Sequence, residues 1–283
     1  MKEFLKAFTQ FVTRNGWAMD RVFDDFLQYI IWLHTMPEYG KRIEGWGYTA
    51  EESKEMFDLY RTLVTDIKPL IDRNGWFDAF GEIYEDLVVG KFHRDNSGQF
   101  FTPPSICDLM RDITAPKDTK VVGKIISDPT CGSGRNLLSF HSAHVGNYYV
   151  AEDVDRTCVM MTVCNFILHG VEGEVIWHNT LNPDTFYGAY RTNEQLNSPL
   201  QKYYGIPHVR EIQYEDTKLK HINDKSAEVF RIKGKLQKSY EKQITTLREL
   251  RTNNLTADER KRQERQITIK ISNIKKLIKK YER

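Results

Sequence analysis

A glycine-rich segment, Asp128-Pro-Thr-Cys-Gly-Ser-Gly134, has the residue types needed to bind a polar or anionic part of a cofactor. It follows a short apolar run at 121–127 and precedes a stretch with helical periodicity that starts at Asn136. Small residues let the backbone approach a ligand closely, and a helix N-terminus offers unpaired N–H groups to a carboxylate or a phosphate. Leu137 stands where the dinucleotide fingerprint G-x-G-x-x-G has its third glycine, so NAD is disfavoured.

An acidic residue follows at the distance expected for a ribose-binding carboxylate. Asp153 comes 21 residues after Gly132, at the end of a second predicted strand. A carboxylate at that position is suited to accept hydrogen bonds from ribose hydroxyls. The pattern alone leaves a second interpretation open, in which the segment is only a tight strand-to-helix turn and Asp153 is its cap.

The elements that must position these residues alternate between strands and helices. The predicted order is strand 121–127, helix 136–144, strand 147–151, helix 156–169 and strand 174–178. This β-α-β-α-β order is typical of an α/β fold with a parallel doubly wound sheet. Only 208–214 resembles a further strand, so we expect a partial sheet. Its open edge should be covered by that run, by another part of the chain or by another subunit.

Helical segments flank this α/β region. Apolar faces at 23–31, 56–67 and 80–88 recur at i, i+3, i+4 and i+7, which predicts an N-terminal helical bundle. Two heptad patterns separated by Asn253-Asn254 predict a C-terminal helical hairpin. The heptad positions are Leu236, Tyr240, Leu247 and Leu250 in one helix and Ile267, Ile271, Ile274, Ile278 and Tyr281 in the other. The predicted domains are therefore 1–95, 96–225 and 226–283.

The composition fits a globular protein and hides an uneven distribution of charge. The 283 residues are 40% hydrophobic and 28% charged, with a net charge of +2. Residues 221–283 hold 18 of the 41 Lys and Arg and 8 of the 39 Asp and Glu, which leaves 23 basic and 31 acidic residues in 1–220. A basic hairpin suits a polyanion or an acidic partner, and an ordinary solvated helical surface explains the charge equally well.

Several classes of protein are disfavoured. No uncharged apolar run approaches the roughly 20 residues of a membrane helix, so we expect a cytoplasmic protein without a membrane partner. The four cysteines form no CxxC pair, which predicts reduced thiols and no zinc site. His141 and His144 lie three residues apart but have no evident carboxylate or cysteine partner, so no metal is predicted.

Four motifs follow one another along the α/β region. They are Gln99-Phe-Phe-Thr-Pro103, DPTCGSGRNLL at 128–138, AEDVDRTCVMMTVCNFILHG at 151–170 and HNTL at 178–181. In this order and spacing they resemble the motifs of adenine-N6 DNA methyltransferases, above all the modification subunit of type I restriction systems and its phage and plasmid relatives. The resemblance implies a Rossmann-like methyltransferase fold, S-adenosylmethionine as the cofactor and DNA as a partner.

The resemblance also implies roles for individual residues. Phe100 and Thr102 match the motif that closes over the cofactor, with Thr102 near the methionine carboxylate. Asp153 matches the ribose-binding acid, and Glu152 takes that role if the register differs by one residue. Asn179 stands where the family usually has Asp to hydrogen-bond the amino group of the cofactor's adenine. The amide oxygen of Asn can also accept that hydrogen bond. The loop residues matched around the methionine part are Asp128, Thr130, Gly132 and Gly134.

The catalytic tetrapeptide of the family, N-P-P-F or N-P-P-Y, does not occur in the sequence. In the family its Asn or Asp side chain and a prolyl-turn carbonyl hydrogen-bond the amino group of a flipped adenine. The nearest candidate by position is Asn197-Ser198-Pro199-Leu200, 16 residues after Leu181. Asn197 and Pro199 are therefore the predicted catalytic residues, and Asn182-Pro183 is the second candidate.

Three functions agree with these observations. The first is an adenine-specific DNA methyltransferase with a degenerate catalytic motif, active alone or with a partner that supplies the missing half of the sheet. The second is a pseudo-methyltransferase that acts as a DNA-binding or assembly module. The third is a methyltransferase with a substrate other than DNA. The resemblance favours the first, and the apolar seam of the hairpin predicts a protein partner or self-association.

Overall fold

The computed structural model describes residues 1–35, 43, 45–89, 101–115, 119–182, 185–194, 196, 206–249 and 256–280. By packing, the chain divides into two compact units, residues 1–217 and residues 218–283. The division into three domains stays a prediction. The α-helices are α1 (Lys2–Arg14), α2 (Met19–Leu33), α3 (Ala50–Asn74), α4 (Ala79–Ile83), α5 (Pro104–Thr114), α6 (Arg135–Ala143), α7 (Arg156–His169), α8 (Lys218–Glu249) and α9 (Ala257–Lys280). A π-helix, Tyr84–Val89, follows α4, and a 3₁₀-helix, Tyr214–Asp216, precedes α8. The strands are β1 (Ile125–Asp128), β2 (Tyr148–Asp153), β3 (Gly173–Trp177), β4 (Gly188–Thr192) and β5 (Val209–Ile212).

The five strands form one mixed sheet in the order β1-β2-β3-β4-β5. The first three strands are parallel, as predicted, but β3, β4 and β5 pair antiparallel. The predicted parallel sheet is therefore confirmed for β1 to β3, and the sheet as a whole is mixed. Strand β4 was not predicted because only Ala189 and Thr192 are buried in it, so no apolar run marks it in the sequence.

The two edge strands of the sheet, β1 and β5, differ in their hydrogen bonding. The predicted strand at 208–214 is β5, and it lies at the edge opposite β1, so it does not cover the open side of β1. The N–H of Val209 donates to the carbonyl of His34 at the end of α2, which closes the β5 edge at that point. In the described part of the chain, β1 pairs with β2 alone.

Both crossover helices pack on the same face of the sheet. Leu137 and Leu138 of α6 and Val163 of α7 share a buried cluster with Tyr149 and Ala151 of β2. This follows from the strand order, because right-handed crossovers that advance in one direction place their helices on one side. Within the described residues, the βαβ helices therefore wind on one face and not on both.

Helix α7 is buried between the sheet and the N-terminal helices. Its Met160, Met161 and Cys164 belong to a second cluster, which contains Phe23 and Phe26 of α2. This arrangement explains why all residues from Cys158 to Ile167 are buried. The α2 helix is also fixed by polar contacts, since Asp24 accepts hydrogen bonds from Arg156 at 2.5 Å and from Thr157 at 3.0 Å.

The second unit consists of α8 and α9, which pack against each other. In α9 Ile267 is buried, while Ile271, Ile274 and Ile278 are half-buried. Helix α9 begins with a capping box, in which the Glu259 N–H donates to Thr256 Oγ1 and the Thr256 N–H donates to the Glu259 carboxylate. Leu250, Asn253-Asn254 and Tyr281 lie outside the described residues. No helix of the described chain is both long enough and apolar enough to cross a membrane.

Candidate functional site

The glycine loop, residues 128–134, connects β1 to α6 through two left-handed glycines. Gly132 has φ +55° and Gly134 has φ +88°. A Cβ at Gly132 would lie 3.1 Å from the Phe101 ring, and a Cβ at Gly134 would lie 3.1 Å from Thr162 Cγ2. Glycine is therefore required at both positions for backbone conformation and for space.

Hydrogen bonds hold this loop against β2 and α7. The Cys131 N–H donates to the Glu152 carbonyl at 2.9 Å, and the Gly132 N–H donates to Asp153 Oδ2 at 2.9 Å. From α7, Thr162 Oγ1 donates to the Gly132 carbonyl at 2.8 Å. Sequence reasoning missed Thr162, because a threonine between apolar residues of a helix carries no signal of a polar contact.

Asp153 lies at the end of β2, directly beside the glycine loop. One of its oxygens accepts the Gly132 N–H, and the other accepts the Asp155 N–H at 2.9 Å. Burial raises the pKa of Asp153, while these backbone N–H groups oppose the rise. Each carboxylate oxygen has a further lone pair, so the group can accept additional hydrogen bonds from a ligand.

Glu152 points to the opposite face of the sheet, as expected for adjacent strand residues. Its carboxylate is 2.7 Å from His178 Nε2 and accepts a hydrogen bond from Ser127 Oγ at 3.3 Å. Both Glu152 and His178 are buried. Glu152 contacts the glycine loop through its backbone carbonyl, whereas among the described residues only Asp153 contacts the loop through its carboxylate.

The start of the loop is ordered by Asp128. Its carboxylate accepts hydrogen bonds from the Thr130 N–H and from Asn136 Nδ2, both at 3.2 Å. Asp128 therefore stabilises the turn and the first residues of α6, and Thr130 lies exposed at the turn. The structure brings Asp128, Thr130, Gly132 and Gly134 together with Asp153, in agreement with the spacing of the motifs.

The aromatic residue that meets the loop is Phe101. Its ring contacts Gly132 and lies 5.2 Å from the guanidinium carbon of Arg135. Phe100, the predicted cofactor residue, lies outside the described residues. Thr102 is described, and its carbonyl accepts a hydrogen bond from Arg135 Nη1 at 3.4 Å. The sequence analysis did not single out Phe101, and the role of Phe100 stays a prediction.

Asn179 begins the turn that follows β3. Its Oδ1 accepts the Leu181 N–H at 3.0 Å, and its own N–H donates to Thr185 Oγ1 at 2.9 Å. Near this turn Trp177 Nε1 donates a hydrogen bond to the carbonyl of Val154. Val154 directly follows Asp153 in the chain, and its side chain is exposed. Asn179 therefore serves as a turn residue and keeps a second lone pair on its amide oxygen.

The predicted catalytic residues, Asn197 and Pro199, lie outside the described residues. The second candidate, Asn182, is described. Its N–H donates to the Asn179 carbonyl at 2.9 Å, and its carbonyl accepts Thr185 Oγ1 at 2.7 Å. These backbone contacts make Asn182 part of the same turn.

Comparison with known proteins identifies relatives of this chain. A curated methylase subunit of the type I restriction enzyme EcoEI, from Escherichia coli, is 32% identical over 119 residues, which cover 36% of this chain and 23% of the relative. The MjaIX methylase subunit from Methanocaldococcus jannaschii is 30% identical over 119 residues, covering 38% and 20%. The MpnII methylase subunit from Mycoplasma pneumoniae is 29% identical over 148 residues, covering 48% and 25%. The matched part thus spans about a fifth to a quarter of each of these relatives.

No solved structure matches the chain. The family model described as N-6 DNA Methylase matches residues 76–227, which is more than half of the sequence and includes the glycine loop, Asp153 and Asn179. This match confirms the resemblance to adenine-N6 DNA methyltransferases, and the chain belongs to the N-6 DNA methylase family.

Proposed function

We propose that this chain binds S-adenosylmethionine and takes part in adenine-N6 methylation of DNA within a restriction–modification or mobile-element system. The observation that supports the proposal most directly is the 2.9 Å hydrogen bond between Asp153 and the Gly132 N–H. It joins the two features that the cofactor requires, a ribose-binding acid and a loop that admits a ligand close to the backbone.

The residues present fit this cofactor. At Gly132 and Gly134 a Cβ would crowd neighbouring side chains, so only glycine leaves the backbone open there. The N-terminus of the nine-residue helix α6 follows directly and attracts a carboxylate. The methionine part would be held by Thr102, Asp128, Thr130, Gly132 and Gly134, the ribose by Asp153 and the adenine amino group by Asn179.

The bound cofactor would supply an electrophilic methyl group to the amino nitrogen of a DNA adenine. The lone pair of that nitrogen is delocalised into the ring. The enzyme must therefore localise the lone pair on the nitrogen by accepting hydrogen bonds from the amino group. In this chain Asn197 and the carbonyl beside Pro199 are the groups that we propose for this step. The base must leave the duplex to reach them.

Replacing Asp153 with alanine is expected to weaken S-adenosylmethionine binding roughly 10- to 100-fold, because a charge-assisted hydrogen bond contributes about 1.5–3 kcal/mol. Isothermal titration calorimetry measures this loss. Asp24→Ala is a matched control, since Asp24 is also a partly buried acid with two donors but lies in α2 and does not contact the loop. Equal affinity in Asp153→Ala and wild type would remove Asp153 from the site, and no binding by wild type would overturn the proposal.

For the second unit we propose association with protein through the helical hairpin. Phe230 is 80% exposed on α8, and Ile269 and Leu277 are 54% and 46% exposed on α9. These side chains offer apolar surface to a protein partner or to a second copy of the chain. The basic side chains of α9 are exposed as well and are available to phosphates; they include Lys261, Arg262, Arg265, Lys275, Lys276, Lys279 and Lys280.

A chain that ends at Thr217 is expected to lose association first and DNA affinity second. Multi-angle light scattering gives the mass of the full-length and shortened chains, alone and with candidate partners. DNA binding at several salt concentrations gives the number of phosphate contacts from the slope, which should fall only modestly. An unchanged mass together with loss of the salt-dependent binding would make the hairpin a nucleic-acid arm.

A further inference from the structure

A buried carboxylate connects the N-terminal helices to the glycine loop. Asp78 is 3% exposed and lies at the N-terminus of α4. Its Oδ1 accepts hydrogen bonds from the Gly81 N–H at 2.8 Å and from Asn165 Nδ2 at 2.7 Å. Its Oδ2 accepts Ser133 Oγ at 2.5 Å and Arg135 Nε. Four donors from three parts of the chain therefore converge on one carboxylate.

Three of these donors, Ser133, Arg135 and Asn165, connect Asp78 to the end of the glycine loop. Ser133 and Arg135 flank Gly134, so Asp78 holds both neighbours of the left-handed glycine. Asn165 uses the same amide nitrogen to donate to the Ser133 carbonyl at 2.9 Å. The side chain and the backbone of Ser133 are thus both fixed from outside the loop.

Arg135 compensates the buried negative charge and extends the network. Its side chain is 5% exposed, and Nη2 contacts Glu82 at 3.2 Å and Glu85 at 3.1 Å. Its guanidinium also lies over the Phe101 ring, which packs on Gly132. Through Arg135, residues 78–85 therefore support both sides of the loop.

A neutral histidine fixes the position of Asp78 itself. His169 Nε2 accepts the Phe77 N–H at 3.2 Å, so its proton is on Nδ1, which donates to the Asn165 carbonyl at 2.8 Å. Burial lowers the pKa of His169 and favours this neutral form. The residue before Asp78 and the helix that carries Asn165 are therefore locked together.

We propose that Asp78 is a positioning residue for the cofactor, holding the Ser133–Arg135 turn in its binding conformation before the cofactor arrives. The inference rests on the proposed binding of S-adenosylmethionine. A loop with two left-handed glycines has many alternative conformations, and a ligand that must select one of them binds less tightly. The Asp78 contacts remove those alternatives in the free protein, which is the usual way in which a supporting shell raises affinity.

The test compares two isosteric variants. Asp78→Asn keeps the volume of the side chain but replaces one acceptor by an NH₂ group that faces the Ser133 and Arg135 donors. Glu174→Gln is the matched control, because Glu174 is also fully buried and is hydrogen-bonded to Tyr148 at 3.0 Å and ion-paired with Arg191, but lies away from the loop. Both variants lose a buried charge that has an arginine partner.

We expect Asp78→Asn to lower S-adenosylmethionine affinity at least 10-fold by calorimetry, which is roughly the effect of losing one hydrogen bond to the cofactor. We expect Glu174→Gln to leave the affinity within 2-fold of wild type, because no such bond depends on Glu174. Hydrogen–deuterium exchange by mass spectrometry supplies a readout without cofactor. In Asp78→Asn the peptide that contains residues 128–138 should exchange faster, while the peptide that contains 148–153 should keep its protection.

The outcomes separate the two proposals. If wild type does not bind S-adenosylmethionine, the proposed function fails, and the exchange experiment still tests whether Asp78 orders the loop. If Asp78→Asn folds, binds like wild type and shows no faster exchange at 128–138, the positioning role is wrong. If Asp78→Asn does not fold, Ser133→Ala removes one donor only, and unchanged affinity and exchange in that variant would overturn the role as well.

Discussion

Replacing Gly134 with alanine is expected to destabilise the first unit by about 2–5 kcal/mol and to abolish measurable cofactor binding. The left-handed backbone at φ +88° costs a residue with a Cβ about 1–2 kcal/mol. The new Cβ would also press on Thr162, and overpacking of this kind adds about 1–3 kcal/mol. Urea denaturation measures the first effect and calorimetry with S-adenosylmethionine the second.

The variant Gly16→Ala separates the conformational cost of a left-handed alanine from the cost of overpacking. Gly16 has φ +67°, but a Cβ there would meet no heavy atom within 4 Å, so only the conformational cost of about 1–2 kcal/mol remains. Thr162 cannot easily move away from Gly134, since its hydroxyl is hydrogen-bonded to the Gly132 carbonyl. A Gly134→Ala protein as stable as Gly16→Ala would mean that this contact does not restrict the loop.

Asn197→Ala is expected to slow adenine methylation roughly 100- to 1000-fold, the usual effect of removing one preorganised hydrogen bond to the reacting group. The assay follows transfer of a tritiated methyl group from S-adenosylmethionine to DNA of varied sequence. Asn197→Asp should retain more activity than Asn197→Ala, because a carboxylate also accepts hydrogen bonds from an amino group. Calorimetry on the same variants should give unchanged cofactor affinity.

Asn182→Ala is the comparison that assigns the role. Full activity in Asn197→Ala together with loss in Asn182→Ala would move the catalytic amide to the turn after β3. Full activity in both would point to a residue of another subunit. If wild type binds the cofactor but methylates no DNA, with or without candidate partners, the chain is a pseudo-methyltransferase.

The glycine loop could be predicted from sequence because each of its requirements is local. A strand end, two glycines and a following helix occupy consecutive positions, and Asp153 is one strand further on. The strands β2 and β3 were predicted for the same reason, since buried parallel strands form continuous apolar runs. The run at 121–127 predicted β1, which starts only at Ile125 and is not buried. Strand β4 was missed because its burial depends on β3 and β5 and not on an apolar run of its own.

The supporting residues could not be predicted, because their contacts join distant parts of the chain. Asp78 is 55 residues from Ser133 and 87 residues from Asn165. The sequence analysis did not single out Asp78, which is also the N-cap of α4. Phe101 and Thr162 likewise could not be predicted, because they limit the space at Gly132 and Gly134 only once the chain has folded.

The burial of α7 between two apolar layers also means that its partner surfaces are uncovered while the chain is being synthesised. Phe23 and Phe26 leave the ribosome before Met160, Met161 and Cys164, which complete their cluster. Met160 is 134 residues after Phe26, a stretch that takes roughly 7–27 s to synthesise at 5–20 residues per second. During that interval the nascent N-terminal helices expose the surface that α7 later covers, so we expect them to need chaperone protection.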